Sequence, residues 1–381
     1  MSAPMKRSVV LVSAAGALIV AGLVVSLQVS QEREFRRLVA VGEQALDEDQ
    51  TFVAIEAFSG ALALNNGSML AYLKRGDTYR RRGEYAKALR DLREAVTLDP
   101  TAPQPIELLA DVNSAMGRHE RAAELYQQYL ALDDRAARVL YKLAVAQFRS
   151  GRTARAIDPL RKAVALEDRL PEAHYLLGMC LRAQERDDEA VRAITRAVQL
   201  NPAFIAAREE LADLHAERGE RRAGIEQLEA IAALEPSRPE RLVNVGLTYA
   251  RFGQPDTAIL TLGRAAERYP DTPAVYAALG RVWLETAAAR GDSVAMAKAL
   301  EALAPIASRT DATSETLTLY GRALLMSGNT AAAELTLQQA VSRAPADPLA
   351  YRYLADAATR LGHTAIAGDA SARYALLAGG L

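Results

Sequence analysis

The chain has 381 residues, with 46 basic and 47 acidic side chains and a formal net charge of −1. Such a balance argues against a nucleic-acid partner, which calls for a basic excess on one face. A single cysteine, Cys180, excludes an internal disulfide and a cysteine-built zinc site, and is expected to be a small buried apolar residue.

Residues 1–7 form a short basic start containing Lys6 and Arg7. Residues 8–29 carry no charge and are rich in Val, Leu, Ala and Gly. As a helix they are long enough to cross a hydrocarbon core of about 30 Å. They are read as one N-terminal transmembrane helix that anchors the protein. A cleaved signal is the alternative, but its apolar core usually runs roughly 7–15 residues, and Val24-Val25-Ser26 is a poor cleavage site. Lys6 and Arg7 favour a cytoplasmic N-terminus, whereas Arg33, Arg36 and Arg37 beyond the run oppose it. The compact basic start decides the reading: a single-pass protein of the inner membrane with its C-terminal part outside the cytoplasm, periplasmic in a bacterium. The reversed orientation, facing the cytoplasm, is the alternative. Abundant Ala and Arg are a compositional hint of bacterial origin. Residues 30–34 are a short charged connector.

From Phe35 onward one pattern returns about every 34 residues. Met69–Ala102 displays it best. Tyr72, Gly76 and Tyr79 share one face of a first helix, and Gly83 ends it. Tyr85, Ala88, Leu89, Leu92, Ala95 and Val96 make the apolar stripe of a second helix, which Leu98-Asp99-Pro100 stops. Gly76 is matched by Gly42, Ala110, Ala144, Gly178, Ala212, Gly246, Gly280, Gly321 and Ala355. Gly83, Ala88 and Pro100 recur in the same phase, and columns of small residues holding register together signal a repeat architecture. The physical need is close packing, because two helix axes approach only where small residues meet. Residues 35–286 hold repeats one to seven and the first helix of repeat eight. Residues 287–313 hold the remainder of repeat eight with its connector, and residues 314–381 hold repeats nine and ten. Repeat eight carries the single tryptophan, Trp283. About four extra residues precede Gly291 and roughly three fall in the Ser308–Thr313 connector, so a joint is expected there. Pro159 should kink the second helix of repeat four. The last helix is expected to expose some apolar surface.

This pattern resembles the tetratricopeptide repeat family. The small residue of the first helix, the Ala early in the second and the closing Pro are present, with aromatics at Tyr72, Tyr79, Tyr249 and Tyr276; the family's first-position Trp is missing. The resemblance implies an all-α fold, a right-handed α-solenoid of about ten helix-turn-helix repeats. It also implies a non-enzymatic scaffold that binds a protein or peptide on the concave side, lined by the first helix of each repeat. The lining positions in repeat four are Arg138, Tyr141, Val145 and Phe148. In repeat five they are Glu172, Tyr175, Met179 and Arg182. Tyr141, Val145, Phe148, Tyr175 and Met179 would concentrate large apolar side chains on a face that should be wet. Glu107 and Asp111 before them, with Glu209 and Asp213 after, would give acidic flanks suited to an apolar partner segment with basic ends. The carboxylate-clamp mode of some relatives is excluded, since Leu73, Asp77, Glu107, Leu108 and Asp111 stand where Lys, Asn or Arg would be needed. Self-association through the terminal repeats is a further mode open to the family.

Nothing else in the chain points to catalysis. His119, His174, His215 and His363 lie in different repeats with no ligand spacing, and no phosphate loop, dinucleotide fingerprint or nucleophile elbow occurs. No cofactor, no metal and no enzymatic activity are expected.

Overall fold

The computed structural model describes residues 3–379, with side chains from Leu23 onward. Among the described residues there are twenty α-helices and no strand. They divide between Asn201 and Pro202 into two compact blocks. The N-terminal block holds α1 (Ala3–Asp47), α2 (Thr51–Leu64), α3 (Met69–Arg81), α4 (Tyr85–Leu98), α5 (Pro103–Ala115), α6 (His119–Leu132), α7 (Ala137–Arg149), α8 (Thr153–Leu166), α9 (Pro171–Arg182) and α10 (Asp187–Leu200). The C-terminal block holds α11 (Ile205–Glu217), α12 (Arg221–Leu234), α13 (Pro239–Arg251), α14 (Pro255–Arg268), α15 (Pro273–Arg290), α16 (Ser293–Ala307), α17 (Ser314–Met326), α18 (Thr330–Arg343), α19 (Pro348–Leu361) and α20 (Thr364–Ala378). Odd-numbered helices are the first (A) and even-numbered the second (B) helices of successive repeats.

Each repeat is held by one recurring contact. The small residue of helix A receives a large side chain that lies sixteen positions later on helix B. A Cβ at Gly76 would lie 2.9 Å from Leu92, one at Gly246 2.5 Å from Leu262, and one at Gly321 2.6 Å from Leu337. Leu92, Leu262 and Leu337 are completely buried. At Gly178 the occupant is the β-branched Ile194, which sits closer still. In repeat four Ala144 stands at this place opposite Leu160, both fully buried, so an alanine–leucine pair also fits the joint. Burial of each such side chain stabilises by roughly 1.5–3 kcal/mol, and no single 13-residue helix of this length would hold its shape alone.

The turn between the helices needs a left-handed residue. Gly83 supplies it with φ 73°, whereas Asp49 and Glu185 occupy the same place in repeats one and five with φ 59° and 57°. An L side chain there stores about 1 kcal/mol or more of strain.

Two sequence expectations change in the structure. The connector expected at residues 30–34 is helical, part of the unbroken α1. Arg36 pairs with Glu32 at 2.7 Å and Arg37 with Glu34 at 2.7 Å, spacings that favour a continuing helix. In repeat eight, the residues ascribed to the Ser308–Thr313 connector are instead added around Gly291. Helix α15 is 18 residues long against 13 for α13, and α16 begins about one turn early. Leu303 thereby still fills the gap at Gly280, and it precedes the start of α17 by the eleven residues that separate Leu92 from the start of α5. Pro159 lies inside α8, which runs on through it to Leu166.

The apolar run at residues 8–29 falls mostly on residues whose side chains lie outside the described residues. Among the described residues no helix is long and apolar enough to cross a membrane. At the other end, α20 buries only Ala370 and leaves Leu376 76% exposed, as expected for a last repeat.

Two substitutions test this architecture. Gly178→Ala should cost about 1–3 kcal/mol by overpacking Ile194, and a second change, Ile194→Leu, should recover much of that, read from urea unfolding midpoints. Glu185→Gly should raise the unfolding free energy by about 1 kcal/mol, read in the same way, because the left-handed turn is relieved of its side chain.

Candidate functional site on the A helices of repeats four and five

Helix α7 turns Val139, Leu140, Leu143, Ala144, Ala146 and Gln147 inward. Its remaining stripe holds Arg138, which is exposed, and Tyr141, Val145 and Phe148, which are half-buried. Helix α9 buries Ala173, His174, Leu177, Gly178, Cys180 and Leu181, leaving Glu172 exposed and Tyr175, Met179 and Arg182 half-buried. The lining residues named from the sequence thus lie outside the core, on the outer stripes of two successive A helices that touch. Burial, and then the Glu172 carboxylate on the neighbouring helix, push the Tyr141 phenol above its ordinary range, with Arg149 opposing. The two stripes therefore share one surface. Five large apolar or aromatic side chains sit on it without being absorbed into the core.

The acidic flank expected from α5 is not free. Lys142, one residue beyond Tyr141, reaches back across a whole repeat. Its ammonium donates to Glu107 at 2.7 Å and to Asp111 at 2.8 Å. The Tyr126 hydroxyl donates to Asp111 at 2.6 Å. Burial pulls the Lys142 ammonium down, but its bonds to Asp111 and Glu107 outweigh this and hold it above the usual lysine range. Burial and Asp111 push the Tyr126 phenol well up. Lys142, Glu107 and Asp111 thus form a fixed ion-paired cluster beside the Tyr126 hydroxyl. Lys74 makes the same reach to Glu43 at 2.6 Å two repeats earlier. That recurrence of Lys against Glu or Asp, 31 residues apart, was the available signal. It was hidden because Lys142 stands beside the lining position and not in it. Glu209 belongs to the C-terminal block, where it accepts from Arg241 at 2.7 Å. Glu107, Asp111 and Glu209 are therefore each ion-paired within their own block.

The lining rule that selects Tyr141 and Val145 selects Val243 and Leu247 on α13. With Ala277 and Arg281 of α15, Asp311 and Glu315, they border a hollow of about 470 Å³. Arg281 and Glu315 are ion-paired at its rim. It escaped the sequence reading because Ala277 is small, so the space, not a bulky side chain, is the feature.

The histidines stay separate. His174 contacts the Asp168 carboxylate at 3.2 Å, His215 lies 2.6 Å from Glu220 and His363 2.9 Å from Glu334. Among the described residues no group of His, Cys, Asp and Glu could hold a metal ion. Cys180 is fully buried, and burial pushes its thiol up to about 11.

Known proteins place this geometry. Family models of the tetratricopeptide repeat match residues 171–204, 209–273 and 314–357. The model of the bacterial transcriptional activator domain matches residues 32–158. No curated protein sequence matches the chain significantly. Among solved structures, the C-terminal part of a TPR repeat-containing protein from Cytophaga hutchinsonii is similar over 64% of this chain and 99% of its own, with a TM-score of 0.54 and 15% identity. A tetratricopeptide repeat protein from Parabacteroides merdae covers 66% of this chain and 99% of its own, with a TM-score of 0.47 and 16% identity. YrrB, described as a TPR protein with an unusual peptide-binding site, covers 50% and 97%, with a TM-score of 0.45 and 22% identity. At these identities the structural likeness speaks to fold alone. Together with the small-residue columns and the helix pairs they build, the repeat models establish that the chain belongs to the tetratricopeptide repeat family.

Proposed function

We propose that this protein is a non-enzymatic scaffold for protein–protein interaction, tethered to the inner membrane through residues 8–29, which assembles or stabilises a cell-envelope complex. The observation that carries the binding role is the A-helix face of α7 and α9. Tyr141, Val145, Phe148, Tyr175 and Met179 remain half-buried there, a concentration of apolar surface that marks contact sites. Aromatic side chains at the centre of such a face dominate binding energy. The occupant is an apolar segment of a protein or peptide partner. Arg138 and Arg182, at opposite ends of the two stripes, are placed to orient it. Self-association through the terminal repeats is a further part of the reading, supported by the 76% exposure of Leu376.

The tether rests on α1. This helix runs unbroken from Ala3 into repeat one. Leu23, Val24, Val25, Leu27 and Val29 expose between 45% and 62% of their surface, a run that a bilayer would accommodate better than water. Lys6 and Arg7 favour the repeats outside the cytoplasm. A second reading keeps the fold and turns it round: a membrane adaptor facing the cytoplasm that recruits soluble partners. The match of residues 32–158 to the bacterial transcriptional activator domain favours it.

A phosphatase reporter fused after Leu381, paired with a cytoplasm-active reporter, separates these readings. Phosphatase activity is expected; activity of the cytoplasmic reporter alone would transfer the protein to the second reading. For the binding face, Tyr141→Ala/Tyr175→Ala should keep the helical circular dichroism signal while a photo-crosslinker at position 148 loses its partner by about tenfold or more. Full crosslinking yield in that variant would sink the site. Lys142→Met should lower stability by about 1–2 kcal/mol, since it strands Glu107 and Asp111. The contribution of the raised Lys142 pKa is expected to be constant through neutral pH and to fade as pH rises past about 10, a loss that Lys142→Met should abolish in a stability-versus-pH series.

A further inference from the structure

Repeat two and repeat four differ at one place on the B-helix side. In repeat two, Arg75 on α3 bonds Asp91 on α4 at 2.6 and 3.0 Å and Ser59 on α2 at 3.1 Å. Asp91 is only 1% exposed, so this triad plugs the space between consecutive B helices. Two repeats later the equivalent positions hold Leu143, Pro159 and Gln127. None of them carries a charge, and a groove of about 720 Å³ opens between α6 and α8 over the back of α7. It lies on the face of α7 opposite Tyr141.

The floor of this groove contains an unanswered polar group. Gln147 is 6% exposed and lines the groove, and its Oε1 has no hydrogen-bond partner. The equivalent Asn113 in repeat three is shorter and donates to the Leu109 carbonyl at 2.7 Å. A buried amide oxygen left without a donor is costly, and a ligand that brings one recovers the loss. Around the apolar floor of Leu130, Leu140 and Leu143 stand three cations, Arg135, Arg155 and Lys162, against two acids, Asp134 and Asp158. All five are exposed, and among the described residues none of them is ion-paired through its side chain.

We propose that this groove docks an extended segment of a partner protein that carries an apolar anchor residue beside acidic residues. The anchor enters over Leu143 and Pro159. A backbone N–H of the segment donates to Gln147 Oε1. Its carboxylates meet Arg155, Lys162 and Arg135, whose excess over the two acids sets the preference for negative charge. The site is independent of the A-helix face, and the two faces of α7 would bind different segments.

The test uses the full chain in detergent micelles and a fluorescein-labelled, end-capped peptide, Gly-Glu-Asp-Leu-Phe-Glu-Leu-Asp-Gly, followed by anisotropy. A control peptide replaces each acid by lysine. The acidic peptide should bind at least about tenfold tighter than the control, and Arg155→Glu/Lys162→Glu should remove about that factor. Gln147→Leu should weaken binding by about fivefold or more while raising the melting temperature of the free chain, because the unpaired amide is gone. A purely structural Gln147 would move the melting temperature alone. Tyr141→Ala/Tyr175→Ala should leave binding unchanged. Absence of saturable binding, equal binding of the two peptides, or loss in the tyrosine variant with retention in Arg155→Glu/Lys162→Glu would each overturn the proposal. So would binding of phosphatidylglycerol vesicles through the same cations without peptide binding, which would assign them to a lipid surface.

Discussion

The contact between a small residue on one helix and a large side chain sixteen positions later governs everything else in this molecule. Gly76 with Leu92, Gly246 with Leu262 and Gly321 with Leu337 are the same joint repeated. It draws two helix axes together, and the close approach leaves room for only one row of large residues between them. The stripes turned away from that row are released from packing. They are free to vary without disturbing the joint. Within each block stability accumulates joint by joint, because a repeat contacts its neighbours and not a common core.

The same joint explains how repeat eight absorbs its extra residues. Leu303 must return to Gly280, so the added length is forced out of the packed middle and into the turn around Gly291. There it extends α15 and brings the start of α16 forward, which costs no core contact. Helix α16 still presents Ala299 and Leu303 fully buried, and α17 starts in register. Insertions in a stacked-helix protein are cheap where a hairpin meets solvent, and expensive where helix axes cross.

Charge follows a second, longer spacing. Lys142 and Lys74 each span a whole repeat to reach carboxylates on the preceding A helix. These bridges join neighbouring repeats along the A-helix side, as Arg75, Asp91 and Ser59 join the B-helix side of repeats one and two. They neutralise acids that would otherwise give the A face a negative field. Repeat four differs from repeat two on both sides. Tyr141 and its neighbours make the A side apolar, and Leu143 with Pro159 empties the B side. Helix α7 therefore presents two unlike surfaces on one helix.

The sequence by itself determined the helical class, the period and the pairing of helices. Those properties depend on local chemistry: glycine at a left-handed turn, proline after a helix, alanine or glycine where axes cross. The positions of Tyr141, Val145, Phe148, Tyr175 and Met179 followed from the resemblance to the repeat family, and each lies outside the buried stripe of its helix. Only the tertiary structure decided what lies between repeats. That Lys142 quenches Glu107 and Asp111, that the inserted residues surround Gly291, and that Gln147 faces an open groove all depend on distances between residues some 20 to 35 positions apart. A periodic pattern says which face a side chain occupies. It cannot say how far a long flexible side chain will reach, or whether the space opposite it has been filled.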